Sequence, residues 1–187
     1  MLDAFYGAFS PACFGLLGLW LVIVQMRLTE WEHDTKEREA EHHRRAYGVA
    51  LHFALPGVMS VLALVASQTA AFWRVSFAIV ALGGAVIMVA VRGYPVPPGD
   101  QRPGIRRLPV ADRLGLAAYV TGIVLYVLIG VLAFVPGKNV LRIEAVLLTG
   151  LVFLGFNVAW LLMFDERSYA RGRGRRHSSA RPTAGTE

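Results

Sequence analysis

Three side chains with imidazole or amide groups lie within apolar stretches of this sequence: His52, Gln25 and Asn157. An imidazole can accept or relay a proton, and amides can orient it or a polar ligand through hydrogen bonds. Counting from the ends of their stretches places all three in the same half of a bilayer. Pro56 lacks an N–H and leaves the carbonyl of residue 52 without its helical partner. The pattern predicts a ligand-binding or pathway cluster around His52, with simple interhelical hydrogen bonding as the alternative.

A second group of polar residues lies between the first two apolar stretches. On a helix His33, Glu37 and Glu41 would share one face, and this combination of ligands could hold a divalent metal ion. The segment also contains opposite charges four residues apart, such as Glu41 and Arg45, which favour a solvated helix with intrahelical ion pairs. No HExxH or comparable motif fixes a metal geometry. We therefore expect no metal and no cofactor, and the three residues are weak metal candidates only.

The elements that must position these residues are apolar segments long enough to cross a bilayer. Apolar residues make up 55% of the 187-residue chain and charged residues 17%, and a transmembrane helix needs about 20 apolar residues. The segments that meet this requirement are residues 4–26, 46–66, 72–91, 114–135 and 145–164. The predicted fold is an all-α integral membrane protein, with a five-span helical bundle over residues 1–170.

Basic residues are divided unequally between the connections, and this division predicts the orientation. With the N-terminus outside, sixteen of the 19 Lys and Arg residues fall on the inner side. Only Arg74, Lys138 and Arg142 remain on the outer side. We therefore expect a multi-pass protein of the plasma (inner) membrane with a cytoplasmic C-terminus.

The inner connections differ in composition. Residues 28–45 lack Gly and Pro and predict a charged cytoplasmic helix that extends the first span and turns back near Tyr47 and Gly48. Residues 93–112 contain five prolines and predict an extended cytoplasmic loop. Residues 171–187 predict a disordered basic tail that contacts anionic lipid of the inner leaflet. Because Tyr169 is the one aromatic residue that this tail region offers for stacking on bases, we expect no nucleic-acid partner.

Small residues recur at helical spacing in three predicted spans and indicate close helix packing or self-association. They are Gly7, Pro11, Gly15 and Gly18; Ala78, Ala81 and Ala85; and Gly115, Ala118, Gly122 and Gly130. Ser10 and Pro11 either begin the first helix or bend it.

Acidic residues are absent from the segments taken as spans, which disfavours a proton- or sodium-coupled transporter. At the outer edge Asp3, Arg74 and Glu144 fall at similar depth, which indicates a local structural salt bridge.

No motif pairs a nucleophile with a base or forms a phosphate loop. We therefore expect a non-catalytic membrane subunit or accessory protein that binds a protein partner. The alternative is a small homo-oligomeric channel or transporter whose path is lined by the cluster around His52. A membrane enzyme comes third and would have to use the segment that contains His33, Glu37 and Glu41.

Overall fold

The computed structural model describes residues 2–31, 36–65, 70–92, 110–136 and 139–179, and in these ranges the chain forms helices and no strand. The helices are α1 (Leu2–Trp31), α2 (Lys36–Val65), α3 (Ala70–Arg92), α4 (Val110–Leu132) and α5 (Val140–Ser179). Each contains a segment long and apolar enough to cross a membrane. These segments are Leu2–Thr29, Glu39–Val65, Phe72–Val91, Leu114–Leu132 and Val140–Met163. The predicted all-α architecture with five membrane-length helices is confirmed.

Hydrogen bonds between helices show how the bundle is arranged. The indole Nε1 of Trp20 donates to the carbonyl oxygen of Ala46 at 3.0 Å and ties α1 to α2. The hydroxyl of Tyr6 donates to the carbonyl oxygen of Leu141 at 3.0 Å, so α1 and α5 begin at the same end. We call this end the N-terminal face and the opposite end the C-terminal face. Helix α2 packs against α1, α3 and α5, and α4 packs against α3 and α5.

The buried residues occupy the centre of the bundle, and large apolar residues also cover its outside. Met59, Phe77 and Tyr126 are completely buried where α2, α3 and α4 meet. In contrast, Val146 and Phe153 of α5 are 71% and 69% exposed. Apolar surface on this scale is typical of helices that face lipid.

Helices α1 and α2 pack on each other beyond the apolar part of α1. The ring of Trp31 is buried, stacks on His42 with 5.1 Å between ring centroids, and meets His43 edge-on at 5.7 Å. The turn predicted near Tyr47 and Gly48 is wrong, because α2 runs through both residues. The contact made by Trp31 stabilises helix up to the end of α1, and charge patterning alone gives no indication of it.

Helix α5 continues to Ser179, whereas the sequence predicts disorder from Arg171. Arginine is a good helix former, and a helix that is already nucleated gains one hydrogen bond for each residue added. These effects offset the glycines of this segment. Residues 180–187 and most of the predicted loop at 93–112 lie outside the described residues, although α4 already begins at Val110.

The small residues of α3 and α1 behave differently. On α3 Ala78, Ala81 and Ala85 are all buried, so close helix packing is confirmed there. On α1 an added Cβ at Gly7, Gly15 or Gly18 would meet no atom within 4 Å. The α1 stripe therefore faces away from the bundle.

Pro11 lies inside α1, nine residues after the helix begins at Leu2. Because proline lacks an N–H, Pro11 cannot donate the usual backbone hydrogen bond to the carbonyl oxygen of Gly7, four residues earlier. Of the two sequence interpretations, the one that starts the helix at Ser10 is wrong. Ser10 is buried and faces the bundle.

Candidate functional site

His52 lies in the interior of the bundle and is only 2% exposed. Its Nδ1 is 2.7 Å from the carbonyl oxygen of Gly48. Because a carbonyl can only accept, Nδ1 must carry the proton, and in the neutral ring Nε2 is then an acceptor. Among the residues that the structure describes, this buried Nε2 has no hydrogen-bond partner. The fold therefore fixes the tautomer of His52 and leaves its second nitrogen unsatisfied.

Two glycines allow neighbouring helices to approach the His52 ring. A Cβ on Gly122 of α4 would lie 2.6 Å from Nε2, and a Cβ on Gly155 of α5 would lie 2.5 Å from the Cβ of His52. Both distances are too short for non-bonded heavy atoms, so a larger residue at either position would displace its neighbours. The backbones of α4 and α5 therefore close the space around the imidazole.

Side-chain hydroxyl groups satisfy the backbone of α2 near Pro56. Ser60 Oγ donates to the carbonyl oxygen of Pro56 at 2.7 Å, and the Tyr126 hydroxyl donates to the carbonyl oxygen of Leu51 at 2.9 Å. In an apolar environment such bonds replace the solvent that a proline-interrupted helix would otherwise require. The Tyr126 ring is also 6.2 Å from the His52 ring, centroid to centroid. Both bonds stabilise the helix segment that carries His52.

Asn157 lies close to the depth of His52 but faces away from it. Gly155 contacts His52, and a residue two positions later is turned about 200° around the helix axis. The Asn157 side chain is accordingly exposed, and its Nδ2 donates to the carbonyl oxygen of Phe153 at 2.7 Å. Asn157 is therefore satisfied within its own helix.

Gln25 lies at a different level of the bundle and is also exposed. Along the antiparallel pair of α1 and α2, Cys13 faces Gly57 and Trp20 faces Ala46. Residue 25 is therefore roughly level with Glu41 of α2 and lies about 16 Å along the axis from His52, at 1.5 Å per residue. Among the described residues, the structure does not bring Gln25, His52 and Asn157 together, and only His52 is buried.

The weak metal candidates are only partly described. His33 lies outside the described residues, and nothing is described of the Glu37 side chain. Glu41 is 58% exposed and accepts a hydrogen bond from Arg45 at 2.7 Å, which confirms that predicted ion pair. Within the described ranges, no group of three or more His, Cys, Asp or Glu residues could hold a metal ion.

Glu144 is a buried ionisable residue that sequence reasoning placed outside the spans. Helix α5 begins at Val140, so Glu144 lies inside the membrane-length segment Val140–Met163 and is 0% exposed. The expectation that no acidic residue lies within a span is therefore wrong. The spacing of apolar residues could have predicted this burial. Glu144, Leu148 and Leu151 share one face of a helix, and all three are fully buried.

The surroundings of Glu144 come from α1 and α3. Arg74 of α3 and Tyr6 of α1 are its electrostatic neighbours. Both carboxylate oxygens of Glu144 and the Nε of Arg74 are buried without a hydrogen-bond partner among the described residues. The Arg74 guanidinium carbon lies 5.6 Å from the centroid of the Trp73 ring. Asp3 is exposed, and within the described part of the chain neither Glu144 oxygen accepts a hydrogen bond, so the expected salt bridge is not formed between Glu144 and Arg74.

At the C-terminal face, aromatic and basic side chains meet between α1, α2 and α5. They surround a small cavity of about 20 Å³ and include Trp20, Arg27, Trp31, His42 and Arg45. Indole rings beside cationic groups are typical of the membrane–water boundary. We call this cavity and its lining the aromatic–basic pocket.

Comparison with known proteins does not extend this description. No protein family, no curated protein and no solved structure matches the chain significantly. Three local features are therefore available for functional inference: the packed imidazole of His52, the buried carboxyl group of Glu144 and the aromatic–basic pocket.

Proposed function

We propose that this chain is a non-catalytic subunit or accessory protein of the plasma (inner) membrane. The observation that carries this proposal is the closed packing around His52. Gly122 and Gly155 hold two helix backbones against its ring, so a passage at this depth would require α4 or α5 to move away from α2. A bundle packed in this way is suited to a fixed structural role.

The proposed orientation places the N-terminus outside and the C-terminal face in the cytoplasm. It is supported by the sixteen of the 19 basic residues that would then lie on the inner side. Each basic residue near an anionic leaflet contributes about 1 kcal/mol to its attraction. We propose that Arg27 and Arg45 of the aromatic–basic pocket, together with the basic C-terminal tail, bind anionic lipid and position a protein partner at this face.

A homo-oligomeric channel or transporter is the second candidate. It is favoured by two amide side chains that face outward, Gln25 on α1 and Asn157 on α5. Because α1 and α5 contact each other, both amides belong to neighbouring helices. A path lined by these amides would lie between copies of the chain and would leave the packing around His52 intact. The two candidates therefore differ in the partner that they require, another protein or a second copy.

Site-specific photo-crosslinking in cells separates these candidates. A benzoylphenylalanine residue at Met26 (73% exposed) reports on the proposed partner face, and one at Ile79 of α3 (66% exposed) is the matched control. We expect one distinct, stoichiometric protein adduct from position 26 and none from position 79. The adduct should disappear when Arg27 and Arg45 are both replaced by Glu.

Reconstitution supplies the contrary test. Vesicles that contain the purified chain should conduct protons and small ions no faster than empty vesicles. Flux that is abolished by Asn157→Ala, together with adducts formed only between identical chains, would contradict the subunit proposal and favour the oligomeric channel.

A further inference from the structure

Among the carboxylates whose side chains the structure describes, Glu144 is distinguished by its complete enclosure. Neither carboxylate oxygen is accessible, so no space of the size of a water molecule adjoins them. The groups that face it are Tyr6 from α1 and Arg74 from α3. Residues 114–132 of α4 contain no charged side chain. Among the residues that the structure describes, the carboxyl group therefore has one cationic neighbour, Arg74, and a mostly apolar environment.

Arg74 does not satisfy this carboxyl group by contact. Its Nε is buried without a partner, and its guanidinium group lies against Trp73. A charge pair that is not hydrogen-bonded recovers only part of the free energy that is lost when both ions leave water. An ionised Glu144 would thus remain poorly stabilised in this packing.

The size of the site excludes most ligands. Sodium, calcium and magnesium ions require several oxygen ligands and often retain water, and an organic ligand requires a cavity. A proton requires only a lone pair on one carboxylate oxygen. We propose that the carboxyl group of Glu144 is a proton-binding site at the N-terminal face of the bundle.

Release of this proton is linked to the contact between α1 and α5. When the O–H bond breaks, the electron pair stays on the carboxylate and the proton passes to water at the N-terminal face. The resulting carboxylate requires hydration, so the first turns of α5 must separate from α1. The hydrogen bond from Tyr6 to the carbonyl of Leu141, which holds these helices together at 3.0 Å, must then open.

Infrared spectroscopy of the protein in lipid tests the proposal, because a protonated carboxyl group has its own carbonyl stretching band. In the wild type we expect this band over a range of pH in which exposed carboxylates have lost theirs. It should be absent from Glu144→Gln and unchanged in Glu41→Gln, whose carboxylate is exposed and paired with Arg45. Arg74→Gln should retain the band to more alkaline pH, because the cation that stabilises the ionised form is lost.

A second variant keeps the test valid if Glu144→Gln does not fold. Tyr6→Phe retains the ring and removes the hydroxyl, so the band should remain but should shift faster after transfer to heavy water. The proposal is overturned if the folded wild type shows no such band or if the band survives in Glu144→Gln. It is also overturned if heavy water shifts the band in Tyr6→Phe at the same rate as in the wild type. None of these outcomes bears on whether the chain binds a partner, so the proposed subunit role is tested separately.

Discussion

His52 and Asn157 lie at similar depth in the bundle, yet one side chain is buried and the other faces outward. Counting residues between charged ends predicts a similar depth for both, and in the bundle Asn157 lies two residues after Gly155, which contacts His52. Whether a side chain faces inward or outward depends on which face of its helix the neighbouring helices cover. A single amide in an apolar stretch does not reveal which face that is. Gly155 is the residue of α5 that faces His52, and its role becomes visible only when the two helices are placed side by side.

The first prediction concerns the contact between Gly122 and His52. Gly122→Ala should lower the free energy of unfolding by about 1–3 kcal/mol, because the added Cβ overlaps the imidazole. Removal of the ring makes room for that Cβ, so His52→Ala combined with Gly122→Ala should cost less than the sum of the single changes. The measurement is thermal unfolding of the detergent-purified variants.

Gly115 of the same helix supplies the control for this double-mutant cycle. An added Cβ there meets no atom within 4 Å, so Gly115→Ala should leave the melting temperature almost unchanged. Additive effects of His52→Ala and Gly122→Ala would show that the ring and the helix backbone do not share this space.

At the scale of the elements, the ends of helices were harder to predict than their existence. The apolar parts of all five helices follow from composition, because a stretch of about 20 apolar residues has the length of a membrane-spanning helix. The extensions beyond them depend on tertiary contacts, such as the one that Trp31 makes with His42. The start of α5 was also misplaced in the sequence prediction. The helix begins at Val140, so Glu144 lies inside the membrane-length segment and not just before it.

The second prediction follows from the buried position of Trp31. Trp31→Ala should loosen the ends of α1 and α2, since aromatic pairs contribute about 0.5–1.5 kcal/mol beyond the area they bury. Amide exchange over residues 39–46 should accelerate by about tenfold, while exchange in the core around Met59 stays unchanged. Hydrogen–deuterium exchange measured by mass spectrometry gives both rates.

Tyr47→Ala is the matched control, because this ring is 64% exposed and lies on the same helix. It should leave exchange at 39–46 as in the wild type. The double variant His42→Ala, His43→Ala removes the partners of Trp31 and should reproduce part of its effect. Unchanged exchange in Trp31→Ala would mean that the two helix ends are stable without this contact.

At the scale of the whole molecule, the five membrane-length helices of the described ranges can be compared with the distribution of bases. Arg74 and Arg142 lie near the starts of α3 and α5, whereas Arg27 and Arg45 lie at the opposite face. These four bases therefore lie at the faces of the bundle that the alternation of predicted spans assigns to them. The structure adds that the fully buried carboxyl group is at the face with few bases, and the aromatic–basic pocket is at the other.

The last prediction tests this orientation with single cysteines in intact cells. Cys13 is buried and is replaced by Ala to provide the background, and Asn139→Cys and Ala40→Cys are then introduced at exposed positions on opposite faces. A maleimide that cannot cross membranes should label residue 139 in intact cells and residue 40 only after permeabilisation. The reverse pattern would place sixteen of the 19 bases outside the cell. It would also separate the aromatic–basic pocket from the anionic inner leaflet, and the proposed lipid contact would then have to be abandoned together with the topology.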